Sequence, residues 1–201
     1  MNAEQKNFIE VVGAIASADM KNSGVAASLT TAQAILESAW GKSELTKTGN
    51  ALFGIKATKD WKGKTLTRKT TEYEDGKKVQ VEAEFRAYDT WEDSVKDHSA
   101  FLKKYKRYAK VIGETDYKEA CNAVAAAGYA SDPEYAKKLI ELIETYELYN
   151  YDTKNTNTDD LGAEDKKYYR VQAGAYRRKE GADLMAEKIK KTGHKDVFVR
   201  M

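Results

Sequence analysis

The sequence predicts an α+β chain: a mostly helical domain over residues 1–149 with one small β-hairpin lobe, a linker over 150–167 and a β-α-β tail over 168–201. Three observations carry this reading. Apolar residues recur at three- and four-residue steps through most of the first domain. Between Lys64 and Tyr88 the period falls to two. From Asn150 to Lys167 large apolar side chains nearly vanish, and periodic patterning then resumes.

Asn2 can cap a helix running to about Met20, with Phe8, Val12, Ile15 and Ala16 on one face; Asn22-Ser-Gly24 breaks it. A second helix spans Ala26 to Gly41, its stripe formed by Leu29, Ala32, Leu36 and Ala39 with Ile35 beside them, and Gly41 is read as its stop. Asn50 to Lys56 is a short apolar turn whose glycines, Gly49 and Gly54, indicate tight backbone geometry. In the next stretch Val79, Val81, Ala83 and Phe85 alternate with Gln80, Glu82, Glu84 and Arg86. Asp75-Gly76 supplies a two-residue turn, which sets Glu72 opposite Val79 on the face of the apolar set; a one-residue slip would bring Glu74 into play instead. Thr90-Trp-Glu-Asp93 opens a helix with Trp91, Val95, His98 and Leu102 in one stripe. Asp116 caps a short helix ending at Gly128, and Asp132-Pro133 opens another packed by Tyr135, Leu139, Leu142, Ile143 and Tyr146.

Composition narrows the function classes. A net charge of +2 is too balanced for non-specific nucleic-acid binding. No apolar run approaches a membrane span, and Met-Asn-Ala-Glu-Gln-Lys-Asn lacks the basic and apolar regions of a secretory signal. Cys121, the one cysteine, lies in an alanine-rich run and reads as a packing residue. His98 and His194 lie in different parts of the chain with no second ligand at a zinc spacing, so a zinc amidase is not expected. On its apolar stripe His98 reads as a satisfied core histidine.

The candidate chemistry gathers at the end of the second helix. Gln33, Glu37 and Trp40 share one side there, and a carboxyl at the edge of apolar packing loses hydration, which favours its neutral, proton-donating form. Ala-Gln-Ala-Ile-Leu-Glu-Ser-Ala-Trp-Gly, followed by Asn50-Ala-Leu-Phe-Gly-Ile-Lys56, resembles the signature of the glucosaminidase family, glycoside hydrolase family 73, which includes flagellar hydrolases, autolysins and phage endolysins. Ala39 stands where the family usually has glycine. Thr70-Thr-Glu-Tyr73 resembles the family's hairpin motif, and Ala127 to Ala136 its second signature. The resemblance implies a lysozyme-like catalytic domain, Glu37 as general acid and Glu72 as second carboxylate with Glu74 as the alternative. It also implies a groove supported by Phe53, with Gln33, Trp40, Glu74 and Tyr129 at the substrate.

The implied reaction is hydrolysis of the β-1,4 bond after N-acetylglucosamine in peptidoglycan, for which no metal or cofactor is needed. Muramidase, lytic transglycosylase and a non-catalytic wall-binding protein are the competing readings. In the tail, Arg170-Val-Gln-Ala-Gly-Ala-Tyr176 looks like the first strand of a SPOR domain, a ferredoxin-like module that binds glycan strands, although only a β-α-β half is matched. Two expectations follow. Two chains pair through residues 168–201 to complete one sheet, and the protein acts on the wall either after release from a host cytoplasm through a phage-made membrane hole, as an endolysin does, or extracellularly, as an autolysin does.

Overall fold

A computed structural model describes the backbone of residues 1–74 and 77–153, and the side chains of that set other than 71–78 and 153. The expected tail and pairing at 168–201 lie outside the described residues, as does the linker beyond 153. The described elements are α1 (Ala3–Ser23), α2 (Ala27–Ser38), α3 (Glu44–Gly49), β1 (Lys64–Glu74), β2 (Lys77–Ala87), α4 (Trp91–Lys104), a 3₁₀ turn (Lys106–Tyr108), α5 (Tyr117–Ala126), α6 (Tyr135–Thr145) and α7 (Asn150–Thr153). This is the predicted helical domain with a hairpin lobe.

The helix α2 runs through the middle, packed by α1, α5, α6 and α7. From Ala27 to Ile35 every residue is buried, so the apolar surround is wider than the predicted stripe. Leu36, placed in that stripe by its spacing, is instead 37% exposed, on an uncovered side of the last turn, while Ser38 on the other side is fully buried. Beside α2, α1 starts on a capping box between Asn2 and Gln5 and runs three residues further than predicted, to the left-handed Gly24. Its Phe8, Ile9 and Val12 meet Leu29, Ile35, Val95 and Leu102 in one core, which Val124, Leu139, Ile143 and Leu148 extend.

The short helix α3, capped by Ser43, was not visible in the apolar pattern, since its six residues carry no stripe. It seats the hairpin: a side chain on Gly49 would run into Leu66 of β1, so glycine there permits the close approach. The strands β1 and β2 pair antiparallel with Leu66 opposite Phe85, Glu72 opposite Val79 and Glu74 opposite Lys77, the register that a two-residue turn predicts. Arg86 departs from the predicted solvent face. It is only 7% exposed, because Asp97 of α4 and the Trp61 ring take it inward. The helix α6 begins at Tyr135 rather than at Pro133. A turn closed by Tyr135 N–H on the Asp132 carbonyl precedes it.

The largest departure is at the end of the domain. Residues 150–153, read as linker, form α7 and close the core. The Tyr151 ring lies where a side chain on Gly13 would be, which accounts for a glycine inside α1 despite its cost of about 1 kcal/mol in a helix. Ser17 Oγ donates to the Tyr151 carbonyl at 2.8 Å. Ala26, ahead of α2, has no side chain that can cap it, and Asp152 does so from 124 residues away: Ser28 N–H donates to Asp152 Oδ1 at 2.8 Å. Asp152→Ala is therefore expected to cost about 1 to 2 kcal/mol of unfolding free energy, with Asp152→Asn retaining most of it. Urea denaturation checks this, and an alanine variant as stable as wild type would refute the capping role.

Candidate active site

Glu37 sits in the last turn of α2 with an exposed face. Beyond it the chain makes three successive left-handed residues, Ala39 (φ 51°), Trp40 (φ 63°) and Gly41 (φ 75°), so the helix ends at Ser38 and not at Gly41. Ala39 and Trp40 N–H both reach back to the Ile35 carbonyl, while Ser38 Oγ donates to the Ala34 carbonyl and accepts from Gly41 N–H. This reversal throws Trp40 back between Phe8 and Tyr146, with ring centroids 6.1 and 5.1 Å away. Left-handed geometry costs a non-glycine residue about 1 to 2 kcal/mol. Ala39→Gly is therefore expected to raise stability by about 1 kcal/mol, part of the gain being lost to the freer unfolded chain. A melting temperature at or below wild type would contradict this.

The Glu37 carboxyl has a defined partner. Tyr135 Oη donates to Glu37 Oε1 at 2.8 Å and accepts from Gln33 Nε2 at 3.0 Å. Protein packed around the carboxyl raises its pKa above the ordinary glutamate value, and the tyrosine hydrogen bond opposes this in part. With Oε1 occupied as an acceptor, the proton of the neutral acid is directed to Oε2. Sequence reasoning placed Tyr135 only in the packing of its helix. The available signal was that a buried tyrosine needs a partner for its hydroxyl, within a motif already tied to the substrate.

Gln33 is fully buried, with Oε1 unpaired, so it does not reach the surface as predicted; it orients Tyr135. Phe53 is likewise buried, stacked on His98 at 4.0 Å. Below that ring, His98 is a core histidine as predicted but not a satisfied one: neither ring nitrogen has a partner, and burial pulls its pKa down to about 3. Tyr129 is half-buried, stacked on Tyr135 at 5.8 Å and edge-on to His98 and Phe101. Burial and the nearby Glu37 charge push its hydroxyl well above the ordinary tyrosine pKa, so it stays a neutral donor. Gln33, Glu37, Tyr129 and Tyr135 thus form one group, whereas Trp40, expected beside them at the substrate, packs between Phe8 and Tyr146. Glu72 and Glu74 lie in β1 at the backbone positions opposite Val79 and Lys77. Cys121 is buried, its thiol pushed up to about 12 by burial, as suits a packing residue. Among the described residues, no group of three or more His, Cys, Asp or Glu side chains is placed to hold a metal ion.

An acidic side chain of raised pKa at the end of a buried helix, held by a pair of stacked tyrosines in a helical domain that carries a hairpin lobe, has the make-up of a lysozyme-like glycoside hydrolase. Residues 13–148 match the glucosaminidase family model, described as mannosyl-glycoprotein endo-beta-N-acetylglucosaminidase, and residues 164–200 match the SPOR domain. The chain belongs to the glucosaminidase family. It is 40% identical over 157 residues to the exo-glucosaminidase LytG of Bacillus subtilis, an alignment covering 76% of this chain and 55% of the relative. It is 36% identical over 148 residues to the peptidoglycan hydrolase FlgJ of Salmonella typhimurium, covering 72% and 47%. The chain therefore spans about half the length of these curated relatives. Among solved structures, the catalytic domain of the autolysin Auto from Listeria monocytogenes superposes with a TM-score of 0.69 at 34% identity, covering 76% of this chain and 89% of that one.

Proposed function

We propose that this protein is a peptidoglycan hydrolase that cleaves the β-1,4 bond after N-acetylglucosamine, with Glu37 as general acid. The observation that carries the reading is the Glu37 carboxyl, raised in pKa and held through Oε1 by Tyr135. Its free oxygen protonates the departing glycosidic oxygen as positive charge develops at the sugar carbon. Glu72 activates water or stabilises that charge from β1, and the Tyr129 hydroxyl serves the substrate's N-acetyl group. The segment matched by the SPOR model adds affinity for the glycan, and the pairing of two chains through 168–201 and release as an endolysin belong to the same reading.

Mass spectrometry of digested cell wall tests it. N-acetylglucosamine at the new reducing end is the expected result. Muramic acid there would mean a muramidase, an anhydro-muramyl end a lytic transglycosylase, and no new ends a wall-binding protein. For the second carboxylate, Glu72→Gln is expected to lower kcat more than Glu74→Gln. The reverse order would move the role to Glu74.

A further inference from the structure

The hairpin lobe and α4 enclose a cleft of about 140 Å³, lined by Thr58, Asp60, Trp61, Arg86, Phe101 and Lys104 among others. That is smaller than the roughly 300 Å³ of an ordinary small-molecule pocket, and it suits one unit of a polymer whose remainder lies elsewhere. Its walls are fixed in advance. Arg86 donates through one nitrogen to both oxygens of Asp97, at 3.0 and 2.9 Å, and Tyr88 Oη donates to the same carboxylate at 2.7 Å. The guanidinium lies 4.7 Å over the Trp61 ring, whose Nε1–H donates to the Lys64 carbonyl. An aromatic surface already held in place loses little freedom when a ligand meets it.

The cleft also has a direction relative to Glu37. Phe101, in its wall, stands edge-on to Tyr129 at 6.4 Å, and Tyr129 stacks on the Tyr135 ring that holds Glu37. The cleft is thus joined to the Glu37 group through packed rings. The charges differ in how firmly they are committed. Asp97 neutralises Arg86 out of water, with both side chains largely buried. Lys104 reaches Asp60 only at 3.5 Å, and both are exposed, so the ammonium can exchange that partner for one on a ligand.

We propose that this cleft is a sugar subsite for a carboxylate-bearing unit of the glycan, with the sugar ring against the wall that Trp61 and Phe101 form with the Arg86 guanidinium lying over both, and its free lactyl carboxylate on Lys104. The proposal rests on the glycan reading above and adds a charge preference to it. Asp60 is the internal competitor for the lysine.

Steady-state hydrolysis of peptide-free glycan, compared with the same glycan after its carboxylates are converted to neutral amides, tests it. Wild type is expected to show a KM about threefold lower for the carboxylate form, the size of an exposed ion pair. Lys104→Met should remove that ratio. Asp60→Asn should enlarge it, because the lysine loses its competitor. Trp61→Phe should raise KM for both forms alike. A wild-type ratio near one, a ratio that survives Lys104→Met, or Lys104 and Asp60 variants that shift it in the same direction would overturn the subsite while leaving the hydrolase reading intact. A wild-type protein that cleaves neither form would remove the glycan reading, and the subsite with it.

Discussion

Glu37→Gln is expected to lower kcat by about 10² to 10⁴-fold, the usual worth of a positioned general acid, without disturbing the fold. The amide oxygen can still accept from Tyr135, so the hydrogen bond at 2.8 Å survives while the transferable proton does not. Stability should move the other way. Folding raises the pKa of Glu37, so the folded state binds its proton more tightly than the unfolded chain does. Stability contributed by this group then falls as pH rises from the unfolded pKa through the folded one, and at neutral pH the ionised carboxylate is a cost. An uncharged amide in its place carries no such cost, so the variant should melt at or above the wild-type temperature. Wall lysis at wild-type speed by a folded Glu37→Gln protein would end the assignment.

Tyr135→Phe is the second large effect, and its signature is a pH profile. The hydroxyl lowers the Glu37 pKa against the rise caused by burial, so its loss raises that pKa further. A general acid works while protonated, so the basic limb of kcat/KM should move to higher pH. Because the Glu37 proton is no longer directed to one oxygen, kcat at the optimum should fall by roughly tenfold. The same change strands the buried Gln33 amide, whose Oε1 already lacks a partner, and should cost about 1 to 3 kcal/mol of stability. A basic limb that stays put or moves to lower pH would show that Tyr135 only packs.

The local rules read well wherever one segment decided the outcome. The Asn2 cap, the hairpin register at Glu72 and Val79, and the α4 stripe with His98 inside were all legible, because spacing and turn chemistry fix them within a few residues. What escaped was decided by partners distant in sequence. Arg86 alternates as a polar strand residue and is drawn inward by Asp97 and Trp61. Gln33 faces the predicted side of α2, but Tyr135, 102 residues away, seals it from solvent. Leu36 keeps its period, but its side of the last turn of α2 is left uncovered while Ser38 stays buried. The polar run after Tyr149 looked like spacer because Tyr151 and Asp152 act through a glycine and a backbone amide on other helices, which leave no local pattern.

Asp152 also bears on how such a unit can be recombined. The segment that matches the family model, residues 13–148, retains Glu37, Tyr135 and Tyr129, yet it omits both the first turns of α1 and all of α7. The omitted α7 is held on α1 through the Tyr151 carbonyl and Ser17, and from there it delivers the carboxylate that caps α2. A chimera joined at residue 149 would keep Glu37, Tyr129 and Tyr135 and lose the cap at the start of α2. New C-terminal modules therefore belong after Asp152, and the natural unit of exchange is longer than the stretch by which the family is recognised.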